Sequence, residues 1–239
     1  MNRLIIDVGN TLVKVAVTSG DKILKIERHE TLCEDTVDSL ITRYAPKMAI
    51  VSSVRENQDE LLTALNQRIK KVIKFNSKTR IPIRNLYGTP ETLGLDRLAA
   101  AVGAHTLFPG CRCLIIDCGT AITIDFLSDR GEFLGGNISP GLYTRFQSLH
   151  AYTEKLPLRA VTEEVPVIGT TTTEAIDAGV LQGAVLEIEG YIEQNSGYTA
   201  VFTGGDALFF AKRIKNPIFA VCNLVIVGLN SIAEYNAYL

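Results

Sequence analysis

Residues 4–17 read LIIDVGNTLVKVAV, and 110 residues further along residues 114–127 read LIIDCGTAITIDFL. Each copy runs through apolar, strand-forming residues to an aspartate. It then turns through a glycine and hydroxyl-bearing residues and resumes as a second apolar run. A carboxylate at the inner end of a strand is costly to bury without a partner. For either copy alone, a β-hairpin with Asp-Gly turn chemistry is an adequate explanation. Two copies at matching places weaken it.

What surrounds the copies repeats as well. In the first half, residues 3–7, 12–18 and 22–27 read as strands, with Gly9-Asn10 and Ser19-Gly20-Asp21 as turns. Residues 35–44 have helical spacing, 48–54 form an apolar strand, and Asn57-x-x-Glu60 resembles a capping box that opens a helix bearing Leu61, Leu62, Leu65 and Ile69. Residues 72–75 close the series as a strand. The second half begins the same way, with strands over 112–117, 122–127 and 132–138. A helix over 172–194, a strand over 199–203, a helix from Asp206 and a last helix over 224–238 follow. Hairpins followed by crossovers predict an α/β fold in which each half is a mixed five-stranded sheet with flanking helices. The seam is expected near Thr106–Gly110. That gives halves of 1–108 and 109–239, facing each other across a cleft.

With 46% hydrophobic residues in 239, the chain has ample material for packed cores. A net charge of −2 argues against a nucleic-acid partner. The segment 68–84 holds seven Lys/Arg and no acid, and is read as a solvated basic edge rather than a docking surface. The start, MNRLIIDVGN, breaks its apolar run at Asp7 and does not read as a secretory signal. No run approaches a membrane span in length. Five cysteines without C-x-x-C spacing read as reduced, mostly buried thiols, which points to the cytoplasm and away from zinc.

Several nucleotide signatures are missing. No two of the 19 glycines lie two residues apart, so G-x-G-x-x-G cannot occur, and there is no P-loop. The three histidines form no zinc motif or triad. What remains is D-x-G-N-T-x-x-K at 7–14 (Asp7, Val8, Gly9, Asn10, Thr11, Leu12, Val13, Lys14) and D-x-G-T-A-x-T-x-D at 117–125. Glycine lets backbone N–H groups approach phosphate oxygens, Asn and Thr add neutral donors, and Lys14 supplies a point charge. The aspartates suit hard cations such as Mg²⁺ or K⁺. Between the copies lies YGTPETLGLDR, residues 87–97, ahead of a helical run. Asp96 is either a cap for that helix or a base for a substrate hydroxyl, with Arg97 holding an anionic group. GGNISPG at 135–141 is either a close approach of backbone to a ligand or a turn. The TGGD at 203–206 offers bare backbone to an adenosine, or is a plain Gly-Gly turn.

Taken in order, D-x-G-N-T-x-x-K, G-x-D-R, D-x-G-T-A-x-T-x-D, G-G-x-I-x-P-G and T-G-G-D resemble type III pantothenate kinases. These belong to the acetate and sugar kinase, heat-shock-protein-70 and actin superfamily, with paired ribonuclease-H-like halves. The resemblance spans residues 7–206. It implies that residues 7–14 and Thr120 bind ATP, that Asp96 accepts the proton of the pantothenate 4′-hydroxyl, and that Tyr87, Gly94, Leu95, Asp96 and Arg97 line the pantothenate pocket. It further implies that Thr172, in IGTTTTEAI, contacts pantothenate from the neighbouring subunit of a homodimer whose active site lies near the interface. Asp117 would hold an activating K⁺ or NH₄⁺, and Mg²⁺ would arrive with ATP. The implied activity is phosphorylation of pantothenate to 4′-phosphopantothenate, the first step of coenzyme A biosynthesis. The alternatives are another small-alcohol kinase or phosphohydrolase of the superfamily, or a non-catalytic regulator with this fold.

Overall fold

The computed structural model describes residues 1–55 and 59–237. In chain order the first elements are β1 (Asn2–Val8), β2 (Val13–Ser19), β3 (Lys22–His29), α1 (Glu34–Tyr44), β4 (Met48–Ser53), α2 (Asp59–Arg68), β5 (Lys71–Lys74), β6 (Arg84–Asn85) and α3 (Leu95–Leu107). There follow β7 (Cys113–Cys118), β8 (Ala121–Leu127), β9 (Glu132–Pro140), α4 (Leu142–Ala151), α5 (Thr172–Gln194), β10 (Thr199–Thr203), α6 (Ala207–Ala211), β11 (Ile218–Ala220) and α7 (Leu224–Tyr235). Asn57 of the expected Asn57–Glu60 capping box lies outside the described residues, as does the expected end of the last helix at Tyr238.

The repeat is one of topology. The first sheet has the order β3-β2-β1-β4-β5, and the second contains β9-β8-β7-β10-β11, the same order read in chain sequence. β1 pairs antiparallel with β2 and parallel with β4; β7 pairs antiparallel with β8 and parallel with β10. The central strands are buried on both faces, so β1 and β7 read as continuous apolar runs. One apolar core joins Leu4, Ile6, Val15 and Val51 to Val37, Leu40 and Leu65 of the flanking helices. The other joins Leu114, Ile116 and Phe202 to Phe146, Leu181 and Ile188.

Two details differ from the expectation. The second sheet has a sixth strand, β6, which pairs with β9 through Arg84↔Glu132 and Asn85↔Phe133. Two residues carry no readable alternation, so the sequence could not announce it. The residues Gly135-Gly136 run inside β9, within the strand expected over 132–138. The chain also divides differently from 1–108 and 109–239. One compact unit comprises Met1–Gly110, Arg130–Phe133 and Leu224–Leu239; the other comprises Cys111–Asp129 and Leu134–Asn223.

The last helix therefore belongs with the first half. α7 crosses α3 where both carry glycine: a Cβ on Gly228 would come 1.8 Å from the Ala99 carbonyl oxygen, and one on Gly103 would come 2.3 Å from that of Leu224. Only bare backbone lets the helices approach this closely. A polar cluster fixes the register. Asn230 Oδ1 accepts from Arg3 at 3.1 Å and from Thr18 Oγ1 at 2.6 Å, and Arg3 also pairs with Glu234 at 2.9 Å.

In the basic segment, Arg68 pairs with Asp38, Lys74 with Asp59 and Arg84 with Glu132, while Lys71 donates to the Asn236 carbonyl. Such partners suit a solvated edge. Contrary to expectation, three of the five free thiols (Cys33, Cys111 and Cys222) are exposed. No helix among the described residues is long and apolar enough to cross a membrane.

Candidate active site

In the first unit, Asp7 is the penultimate residue of β1, and the antiparallel register sets Lys14 directly opposite it. Asp7 is only 9% exposed. Burial pushes its carboxyl up to about 6; the Lys14 charge works against that rise, and the Asp96 charge adds to it. Asp7, Lys14 and Asp96 thus share one electrostatic neighbourhood, although 82 residues separate Lys14 from Asp96. Gly9 N donates to Leu12 O at 3.1 Å and closes the turn, leaving Asn10 and Thr11 exposed at its tip between buried Val8 and Val13.

Asp96 lies in the first turn of α3, where helix-dipole chemistry favours an acid. It is not the N-cap: Gly94 holds that position, and Asp96 Oδ1 accepts instead from the neighbouring Arg97 N at 2.8 Å. Arg97 is 6% exposed, and its guanidinium lies over the rings of Tyr87 at 5.6 Å and Phe133 at 5.9 Å. Tyr87 is held by its N–H to Asn85 Oδ1, just beyond β6, and Leu86 N bonds the Phe133 carbonyl. Of the expected residues, Tyr87 faces the buried Arg97 guanidinium, and Gly94, Leu95 and Asp96 precede Arg97 at the start of α3. Phe133 joins them through β6, and no sequence signal marks it. Arg55 was also missed: its Nε donates to Gly9 O and its Nη2 to Asn10 O, both at 2.9 Å.

In the second unit, Asp117 is likewise the penultimate residue of β7, and Thr123 stands opposite where the first copy has lysine. The turn is closed by Gly119 N to Ala121 O at 3.1 Å. The exposed Thr120 gives its carbonyl to Gly141 N at 3.0 Å and to Thr144 Oγ1 at 2.7 Å, which ties the loop to the start of α4. The TGGD stretch lies against Asp117. Thr203 is its parallel neighbour, and Asp206 N donates to Cys118 O at 2.9 Å. Gly204 has φ +91°, and a Cβ there would sit 2.4 Å from both Asp117 Oδ1 and Cys118 O. That position needs glycine on both counts. Burial raises the Asp206 carboxyl, and burial with the Asp117 and Asp206 charges pushes the Cys118 thiol up.

Thr172 begins α5 and is exposed. Thr171 caps the helix, accepting from Glu174 N; Thr170 donates to Glu174 and Thr173 bonds Thr171. Thr172 instead lines a groove of about 640 Å³ with Arg145, Ile176 and Gly179. Among the described residues no three His, Cys, Asp or Glu side chains gather as a metal cluster. A single carboxylate with nearby carbonyl oxygens, as at Asp117 and Cys118, is a donor set for a hard, weakly held cation rather than a transition metal.

A family model described as type III pantothenate kinase matches residues 3–194. The type III pantothenate kinase of Cytophaga hutchinsonii is 44% identical over 238 residues, covering 98% of this chain and 99% of that protein. Among solved structures, a Baf-family transcriptional activator from Campylobacter jejuni superposes with a TM-score of 0.66 at 24% identity, over 99% of this chain and all of its own. MreB5 of Spiroplasma citri bound to ADP, 12% identical, gives 0.53 over 98% of this chain and 96% of its own. These two likenesses carry the fold: α/β, duplicated, and of the actin-like ATPase kind. The chain belongs to the type III pantothenate kinase family.

Proposed function

We propose that this kinase transfers the γ-phosphoryl group of ATP to the 4′-hydroxyl of pantothenate, giving ADP and 4′-phosphopantothenate in coenzyme A biosynthesis, with Asp96 as the group that receives the hydroxyl proton. The observation that carries the residue assignment is the shared neighbourhood of Asp96, Asp7 and Lys14 within one unit. It sets a carboxylate beside the hairpin whose composition suits phosphate.

Residues 7–14 bind ATP phosphates through Lys14, Asn10, Thr11 and the turn N–H groups. Arg97, desolvated among Tyr87 and Phe133, holds the pantothenate carboxylate; Gly94 and Leu95 shape the same pocket. In transfer, the bond from the γ-phosphorus to its bridging oxygen breaks, the 4′-oxygen bonds to phosphorus, and the hydroxyl proton passes to Asp96. The transition state is loose, so positioning and charge neutralisation dominate, and Asp96 orients the hydroxyl as much as it deprotonates it. Mg²⁺ bound with ATP supplies countercharge to the phosphates. Asp117 holds K⁺ or NH₄⁺, a reading supported by its oxygen-rich surroundings. Thr172 reaches pantothenate from the neighbouring subunit of a cytoplasmic homodimer, which its exposure on a groove favours.

The test is ADP release with pantothenate, sugars or water alone as acceptor. Pantothenate-dependent release is required. Asp96→Asn is expected to lower turnover about 100-fold or more while nucleotide affinity stays near wild type. Near-normal turnover in that variant would remove Asp96 from its role.

A further inference from the structure

The first phosphate loop is held from behind by a residue that none of the motifs contains. Arg55 follows β4, and its backbone is fixed before its side chain acts. Val54 N bonds Val8 O at 3.0 Å, Arg55 N bonds Ser53 Oγ at 3.0 Å, and Ser53 Oγ donates to Arg55 O at 2.9 Å. From that anchored start the guanidinium spans two consecutive loop carbonyls, Gly9 O and Asn10 O, at 2.9 Å each. A planar fork of donors can bridge two oxygens in this way, whereas an ammonium is a point charge without the fork's fixed geometry.

Peptide planes are rigid, so fixing a carbonyl fixes the N–H of the next residue on the opposite side of the plane. Tying Gly9 O and Asn10 O to Arg55 therefore orients the N–H groups of Asn10 and Thr11 away from the guanidinium. We infer that Arg55 is a positioning residue for ATP: it locks the Gly9–Asn10 peptides so that the loop's N–H groups are aimed at phosphate before the nucleotide arrives. The inference rests on the assignment of residues 7–14 to ATP phosphates. It adds a residue that acts on them through the loop rather than by touching substrate.

The experiment uses the full chain with Arg55→Gln and Arg55→Lys, and two readouts. In nucleotide-free protein, amide hydrogen exchange of a peptide covering residues 7–14, which reports the Gly9 N–H bonded to Leu12 O, is expected to accelerate about tenfold in both variants, the scale of one lost charge-assisted hydrogen bond. In the ADP-release assay, KM for ATP is expected to rise about tenfold in both, with kcat and KM for pantothenate within about twofold of wild type. A merely structural loss would move both substrates' KM values and the melting temperature together, and that pattern overturns the inference. So does full rescue by Arg55→Lys, which would show charge alone to suffice, and so does unchanged exchange. If wild type releases no ADP with pantothenate, the proposed reaction fails, while the exchange measurement still decides the clamp.

Discussion

The two hairpins share a topology and differ in the charges placed around the aspartate. In the first, register leaves four residues between Val8 and Val13, Lys14 stands opposite Asp7, and Arg55 grips the loop carbonyls. In the second, three residues separate Cys118 from Ile122, Thr123 stands opposite Asp117, and the stretch beyond the parallel neighbour is Gly204-Gly205-Asp206. The first aspartate is buried with a lysine opposite and Asp96 nearby, whereas the second has a hydroxyl opposite and Asp206 nearby. A base-rich loop suits an anion, and an acid- and carbonyl-rich loop suits a cation. The two copies share a scaffold, and the side chains at equivalent places differ.

Six substitutions probe that difference, beginning with the largest effect. Lys14→Met is expected to lower kcat/KM for ATP about 100-fold, the scale of losing one preorganised charge stabiliser. Thr123→Val, at the equivalent cross-strand place, should stay within about twofold. Equal losses would dissolve the contrast. Gly204→Ala forces a side chain into Asp117 and Cys118 at positive φ and should cost about 2 kcal/mol in urea denaturation. Ser53→Ala, which follows Ser52 beside Asp7 as Gly204 follows Thr203 beside Asp117, should cost about 1 kcal/mol or less.

Thr123→Lys would give the second copy the first copy's cation. Stimulation of turnover by K⁺ over Na⁺ should then drop about tenfold, since a tethered ammonium competes for Asp117. The smallest effect is on pH dependence. The folded-state carboxyl of Asp7 is raised from 3.8 to about 6, so the folded protein holds that proton more tightly than the unfolded chain. Its contribution to stability is fully present below 3.8 and is lost as pH rises through about 6. Nucleotide-free Asp7→Asn should therefore gain in melting temperature relative to wild type between pH 4.5 and 7.5, by a few degrees. A pH-independent difference would mean that Asp7 is solvated like an ordinary carboxylate.

The sequence carried the parts of this molecule with long periods and fixed spacing. β1, β2, β7, β8 and the run over 172–194 announce themselves by apolar patterning, and the five motifs name most of the site. Short pieces did not. β6 and β11, with two and three residues, are strands only because a neighbour pairs with them. Phe133 and Arg55 act through contacts between residues distant in the chain, and nothing local marks either. The return of α7 to the first unit was unreadable for the same reason. Its apolar face shows that it is buried but does not say against what.

That return has a consequence for how the protein comes into being. Domains generally fold as units while the chain emerges from its N-terminus. Here the unit that emerges first cannot close its core until the last helix is made, because α3 is covered by α7 across Gly103 and Gly228. The unit bearing Asp117 lies wholly between, and can be complete while its older neighbour still waits. The hairpin bearing Asp7 and the helix bearing Asp96 are thus synthesised early and secured late.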